Sequence, residues 1–214
     1  ALVGKVGSGK STLAKLMAKL YPVDNSMLYL DSHNINDIDG KYIRENVSYV
    51  PQESFLFSMT IRENIAFSDK KIENRVGEYA AMASVDEDIK KLAQGYETVV
   101  GERGVTLSGG QKQRITIARA LAKDSRVIIL DDCLSAVDTE TEEAIIKSLR
   151  KETMGKTVVI VSHRLKAVKN ADQIFVFDNG SIVESGTHNE LLHKKGLYNS
   201  MYEKQLIEEK LKEV

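Results

Sequence analysis

As a pattern of apolar and polar positions, the chain alternates short apolar runs with stretches of helical periodicity. Runs bounded by turn residues predict strands at Ala1–Val3, Met27–Leu30, Val47–Val50, Val127–Leu130, Val158–Val161, Ile174–Phe177 and Ser181–Glu184. Between several of them, apolar residues recur three and four positions apart. Lys10–Leu20 sets Leu13, Leu16, Met17 and Leu20 on one face, and Thr139–Lys151 presents Ile145, Ile146 and Leu149. Thr139 and Glu142 are spaced as a capping box for the second helix. Strands alternating with helices predict an α/β fold with a mostly parallel, three-layer sheet.

The alternation lapses between Ile61 and Ala122. Arg62–Phe67, Asn74–Ala83, Asp86–Gln94 and Gly109–Ala122 all read as helices, which predicts a helical subdomain over 59–122 inserted into an α/β core of 1–58 and 123–214. Lys194–Val214 reads as one charged helix with Tyr198, Met201, Tyr202 and Leu206 inward, its last turns, Glu208–Val214, fraying. The stub Ala1–Val3 is expected to be the end of a strand, so that 1–214 is one domain lacking its first strands.

Composition narrows the class. With 214 residues, 42% of them apolar and only 2 prolines, the chain has ample material for a packed core. Thirty basic residues against 31 acidic ones leave a net charge of −1, without the basic excess of a nucleic-acid surface, so no nucleic-acid partner is expected. Cys133 has no second cysteine to pair with, and its apolar setting reads as a buried filler. No apolar run approaches the roughly 18–20 residues that span a bilayer.

Three segments carry chemistry. Gly4-Lys5-Val6-Gly7-Ser8-Gly9-Lys10-Ser11 satisfies G-x-x-x-x-G-K-[ST] between a strand stub and a helical pattern, followed by Thr12. Its glycines let backbone N–H groups curl around phosphate oxygens while the helix N-terminus adds positive potential. Lys10 is then placed to reach the β- and γ-phosphates, and the Ser11 hydroxyl to ligate Mg²⁺. The bland alternative, a glycine turn before a helix, does not account for the fixed Lys-Ser pair. Val127–Asp132 is an apolar strand ending in two carboxylates, at the strand end where open α/β sheets bind ligands. Asp131 is placed to hold Mg²⁺ and Asp132 to activate water. In Leu107-Ser108-Gly109-Gly110-Gln111, Ser108 and Gln111 fit a capping box. Two glycines in a first turn cost about 1 kcal/mol each relative to alanine, so the backbone is expected to approach something there, an anion being the natural candidate.

These segments occur in the order found in ATP-binding-cassette (ABC) ATPases, which the chain resembles. Gly4–Ser11 looks like the Walker A motif, Gln52 the Q-loop, Leu107–Gln111 the signature and Val127–Asp132 the Walker B. Ser135-Ala136-Val137-Asp138 looks like the D-loop and His163 the H-loop, and Glu97–Gly104 resembles an exporter-type X-loop. The resemblance implies a P-loop NTPase (RecA-like) core with an inserted ABC α-helical subdomain, binding ATP with Mg²⁺ at Ser11, Gln52 and Asp131. It implies a head-to-tail dimer with a second ABC ATPase domain, in which Ser108, Gly109 and Gly110 cover the partner's ATP and Asp138 lies across the interface. His163 would touch the γ-phosphate, and Gln52 would contact Mg²⁺ or the attacking water. Phe55-Leu56-Phe57 would meet coupling helices of a transmembrane domain, at the cytoplasmic face of a membrane. An adenine-stacking aromatic residue is expected before Ala1.

One departure stands out. Most active family members carry glutamate where this chain has Asp132. Aspartate is shorter by one carbon–carbon bond, about 1.5 Å, against a general-base reach of roughly 2.6–3.2 Å. The expectation is a weakly hydrolytic site and a heterodimer whose other site this chain's signature completes. The alternatives are a homodimer in which Asp132 is a slower base, a binding-only module, an importer ATPase subunit, or a soluble ABC-type ATPase acting on nucleic acid or ribosomes. No coiled-coil heptads of the DNA-repair type support the last.

Overall fold

The computed structural model describes residues 1–101 and 104–212; Glu102 and Arg103 of the expected X-loop lie outside the described residues, as do Glu213 and Val214. A six-stranded sheet forms the centre, from β1 (Leu2–Gly4), β4 (Val47–Val50), β5 (Val127–Asp131), β6 (Thr157–Val161), β7 (Ile174–Asp178) and β8 (Ser181–Gly186). Their order is β4-β5-β6-β1-β7-β8; every neighbouring pair is parallel except β7 and β8, which are antiparallel. Strands covered on both faces read as near-continuous apolar runs, which is why Val127–Asp131 and Thr157–Val161 carry so few polar residues.

Successive strand residues feed opposite layers. Ile129 packs with Leu2, Val161, Phe177 and with Ala14 of α1 (Lys10–Met17). Ile128 and Leu130 pack on the other side with Val3 and Val50, and with Ile115 of α6 (Gly109–Ala122) and Ile145 and Leu149 of α7 (Thr139–Glu152). That second core runs on into α3 (Ile61–Ile65), α4 (Val76–Met82) and α5 (Asp86–Lys90) through Ile61, Ala80 and Ile89. Among the described residues no helix is long and apolar enough to cross a membrane.

Several sequence expectations need correcting. The run at Met27–Leu30 does not join the sheet: only β2 (Tyr29–Leu30) forms, pairing antiparallel with β3 (His33–Asn34), and Met27 is exposed. α1 stops at Met17, with Lys19 in a left-handed conformation and Leu20 exposed. α4 starts only at Val76, because Lys70–Arg75 winds into a 3₁₀ turn capped by Asp69. α7 is not capped by Thr139; Asp138 caps it by accepting from the Thr141 N–H at 2.9 Å, and Glu142 turns inward instead. The C-terminal helix, α10 (Leu197–Lys212), starts three residues later than expected, after a separate helix α9 (His188–Lys194), and is helical to Lys212. The two helices break at Lys195, left-handed at φ 52°, and Gly196, where a Cβ would stand 2.1 Å from Glu184 Oε1.

Candidate active site

The four parallel strands β4, β5, β6 and β1 end side by side, and each carries a candidate residue at or just beyond its end. Gln52 lies two residues past Val50, Asp131 and Asp132 at the end of β5, His163 two past Val161, and the glycine loop from Gly4 onward. Parallel strands of equal direction bring their carboxyl ends to one edge, so residues far apart in sequence meet there.

The loop is tightly made. Gly4, at φ 146°, has no room for a side chain, since a Cβ would lie 2.3 Å from the Phe177 carbonyl. The Gly180 N–H donates to the Ser8 carbonyl at 3.1 Å, tying the loop to the β7–β8 turn. Lys10 folds into this cradle and donates from Nζ to the carbonyls of Gly4 (2.9 Å) and Lys5 (2.7 Å) and to Ser8 Oγ (3.3 Å). Burial holds its ammonium below the usual lysine range, with Asp132 and Asp131 pulling the other way. Val6, Gly7 and Thr12 are exposed around it.

Asp131 is 1% exposed, and both its oxygens are engaged. Ser11 Oγ donates to Oδ1 at 2.6 Å and the Tyr49 hydroxyl donates to Oδ2 at 2.7 Å. Burial and this bond push the Tyr49 phenol well above its ordinary value. A hydroxyl and a carboxylate converging at the rim of a phosphate-type cradle are the hard oxygen donors Mg²⁺ takes, with waters and substrate phosphates completing its shell. The residues therefore fit the ion. Gln52, the third residue expected at the ion, donates from Nε2 to the next carboxylate, Asp132 Oδ2, at 3.3 Å.

Asp132 sits at φ 47°, a left-handed conformation that short polar side chains tolerate. Its Oδ1 lies 2.9 Å from His163 Nδ1. A carboxylate only accepts, so Nδ1 carries the proton and the Nε2 edge is left for another partner. That bond raises the His163 pKa against its partial burial. The base candidate thus holds Gln52 on one oxygen and His163 on the other.

The Leu107–Gln111 segment stands apart. Ser108 caps α6 in a capping box with Gln111, as the spacing predicts. Ser108, Gly109, Gly110, Arg114, Ala136, Val137 and Asp138 line an open hollow of about 490 Å³ that contains no residue of the glycine loop. The two glycines differ. A Cβ on Gly110 would stand 3.1 Å from the Ala136 carbonyl, whereas one on Gly109 would meet nothing within 4 Å. Among the described residues no neighbour therefore explains Gly109.

Some residues were invisible in the sequence. Tyr49 was hidden in an apolar strand, although its place three residues before Gln52 was a usable signal. Gln113 of α6 donates to the Gln52 carbonyl at 3.2 Å. Arg119 reaches the Phe55 and Asn64 carbonyls and lies 5.2 Å above the Phe57 ring. Within Phe55-Leu56-Phe57, Leu56 turns into the core and Phe57 stacks at 4.4 Å on Phe67, leaving Phe55 and Phe67 as the exposed aromatics. Cys133 is buried, and burial drives its thiol far above the normal range, as a filler residue requires.

This geometry can be set beside known proteins. The family described as ABC transporter matches residues 1–135. The "Probable multidrug resistance ABC transporter ATP-binding/permease protein YheI" of Bacillus subtilis strain 168 is 46% identical over 209 residues, covering 95% of this chain and 35% of that protein. The "ATP-dependent lipid A-core flippase" of Haemophilus influenzae is 45% identical over 207 residues, 96% of this chain and 35% of the flippase. A solved bacterial Atm1-family ABC exporter with ATP bound superposes with a TM-score of 0.89 at 38% identity, over 95% of this chain and 36% of that one. The chain spans about a third of the length of the curated relatives it matches. With the family model matching residues 1–135 and the glycine loop, Gln52, Asp131, Asp132 and His163 gathered at one sheet edge, the chain belongs to the ABC transporter family.

Proposed function

We propose that this chain binds MgATP on its glycine loop, pairs head to tail with a second ABC ATPase domain, and powers an exporter from the cytoplasmic face of a membrane. Residues 59–122 act as the helical subdomain, and Phe55 and Phe67 form the apolar contact for a coupling helix. One observation carries the dimer reading: among the described residues Gly109 has free space around it, on a signature hollow that contains no residue of the glycine loop. A residue that sheds helix propensity for no internal reason fits an outside ligand, here the ATP on a partner's loop.

The roles follow from the contacts. Lys10 exchanges its carbonyl partners for the β- and γ-phosphates, and Ser11 and Asp131 hold Mg²⁺, which neutralises phosphate charge when bound. The attacking water gives its proton to the Asp132 carboxylate as its oxygen bonds to the γ-phosphorus, and the bond to the bridging oxygen breaks to leave ADP. His163 keeps Asp132 oriented through Nδ1 and offers Nε2 to the γ-phosphate, while Gln52 orients the water. Asp132, shorter than glutamate, makes this site weakly hydrolytic, which favours a heterodimer in which Ser108, Gly109 and Gly110 complete a partner's better site.

Two substitutions in the complete transporter separate the cases. In the heterodimer, Lys10→Ala leaves most ATP turnover, whereas Ser108→Ala removes most of it. If Lys10→Ala silences hydrolysis as fully as Ser108→Ala, this chain's own site does the work and the heterodimer reading is wrong.

A further inference from the structure

The loop that carries His163 is held from behind by the C-terminal helix. Beyond Ser162, whose N–H donates to the Leu2 carbonyl, the backbone leaves the sheet and enters α8 (Leu165–Val168). α8 has Arg164 at its N-cap, with no side-chain cap of its own. The first N–H groups of a helix need a partner, and arginine has no acceptor to supply one. Gln205 of α10 fills the gap. Its Oε1 accepts from the Leu165 N–H at 2.9 Å, and its Nε2 donates to the His163 carbonyl at 2.5 Å. One amide thus grips both sides of the residue that follows His163. A turn further along α10, Glu209 pairs with Lys166.

The grip continues towards the base. Arg164 donates to the Ser135 carbonyl (2.9 Å), the Val137 carbonyl (3.1 Å) and the buried Glu142 carboxylate (2.7 Å). Ser135 Oγ in turn donates to the Asp132 carbonyl at 3.0 Å. The backbone of His163 and the backbone of Asp132 are therefore joined through two side chains, while their own side chains meet at 2.9 Å.

We propose that Gln205 is a positioning residue for His163, holding its backbone so that the imidazole stays on Asp132 and faces the γ-phosphate. This rests on the proposed role of His163. Misplacement of a reacting group by about 1 Å can cost on the order of 10²-fold in rate, so a loosened loop is felt as turnover and not as nucleotide affinity.

The test uses the complete transporter in the Asp132→Glu background, where this site turns over whether or not aspartate is an adequate base. Turnover at this chain's own site is read as vanadate-trapped, photolabelled ADP on this chain. Gln205→Leu is expected to slow trapping about tenfold while the half-saturating ATP concentration moves less than about twofold. Gln205→Glu keeps the acceptor for the Leu165 N–H but cannot donate to the His163 carbonyl, and it is expected to slow trapping with the melting temperature preserved. On a His163→Ala background, Gln205→Leu is expected to add no further loss, because both act through one group. Additive losses, wild-type trapping in Gln205→Glu, or a loss of ATP affinity matching the loss of rate would each overturn the proposal while leaving the role of His163 standing. Wild-type trapping by His163→Ala alone would overturn that role and this proposal with it.

Discussion

Lengthening Asp132 by one methylene sets two opposing effects against each other, and their sizes decide the outcome. The carboxylate now reaches Gln52 at 3.3 Å and His163 at 2.9 Å, so it is held at a depth set by its own short stem. Glutamate advances it by about 1.5 Å, on the scale at which misplacement costs about 10²-fold, or roughly 2.7 kcal/mol of barrier. Against this, Asp132 is left-handed at φ 47°, where a longer side chain loses the local hydrogen bonding that excuses aspartate. That strain is worth about 1–2 kcal/mol and lowers the melting temperature by about 2–8 °C without touching the chemical step. Asp132→Glu should therefore melt earlier and hydrolyse faster at this chain's own site, with turnover there up by about two orders of magnitude and the half-saturating ATP concentration unchanged. Vanadate-trapped, photolabelled ADP on this chain at saturating MgATP, beside a melting curve of the same preparation, reads both terms. If trapping on this chain stays within about twofold of wild type while the melting temperature falls, the retracted carboxylate is not the limiting feature, and aspartate is an adequate base.

Three further outcomes follow from the same geometry. Gly109→Ala, with open space for its Cβ among the described residues, should leave the melting temperature level or raise it by up to about 2–4 °C, from at most about 1 kcal/mol of helix propensity, yet reduce ATP-dependent dimerisation seen by size-exclusion chromatography; normal dimerisation would show that the hollow faces no partner. Tyr49→Phe strips one of two donors from buried Asp131 and should cost about 1.5–3 kcal/mol, read by thermal melting, with a higher Mg²⁺ concentration needed for half-maximal hydrolysis; an unchanged Mg²⁺ requirement would separate Tyr49 from the metal. The His163 pKa is raised above its ordinary 6.5 chiefly by the bond to Asp132, so the stability gained is fully present below pH 6.5 and lost as pH rises through the raised value. The melting difference between wild type and Asp132→Asn should thus shrink above pH 6.5, and a constant difference across that range would remove the pair as its source.

What could be read from the chain alone was local. The glycine loop, the acidic strand end and the Ser108 cap are runs of neighbours whose spacing is their signature, and the alternation of strands with helices carried the parallel sheet. Features made by distant partners were not readable. Tyr49 meets Asp131 across 82 residues, Arg164 meets Ser135 across 29, and Gln205 meets Leu165 across 40. The cap of α7 differs from the sequence expectation for a related reason: Glu142 is spaced to serve Thr139, but its bond to Arg164 holds it inside, and Asp138 closes the helix. At Met27–Leu30 the apolar run is only half used: Leu30 packs against the core, while Met27 and Tyr29 stay exposed, so its composition overstated its burial.

The central place of β1 has a consequence for how the protein is made. Leu2 lies against Val161 and Phe175, so β1 leaves the ribosome about 160 residues ahead of the nearer of its two neighbours. At about 5–20 residues per second, that apolar strand waits on the order of ten seconds before either flank exists. Nucleotide cannot shorten the wait, because the carboxylates and the histidine that complete its site emerge over the same interval. Synthesis thus passes through a stage in which this short apolar strand has neither of its sheet neighbours, and the centre of the sheet closes only near its end.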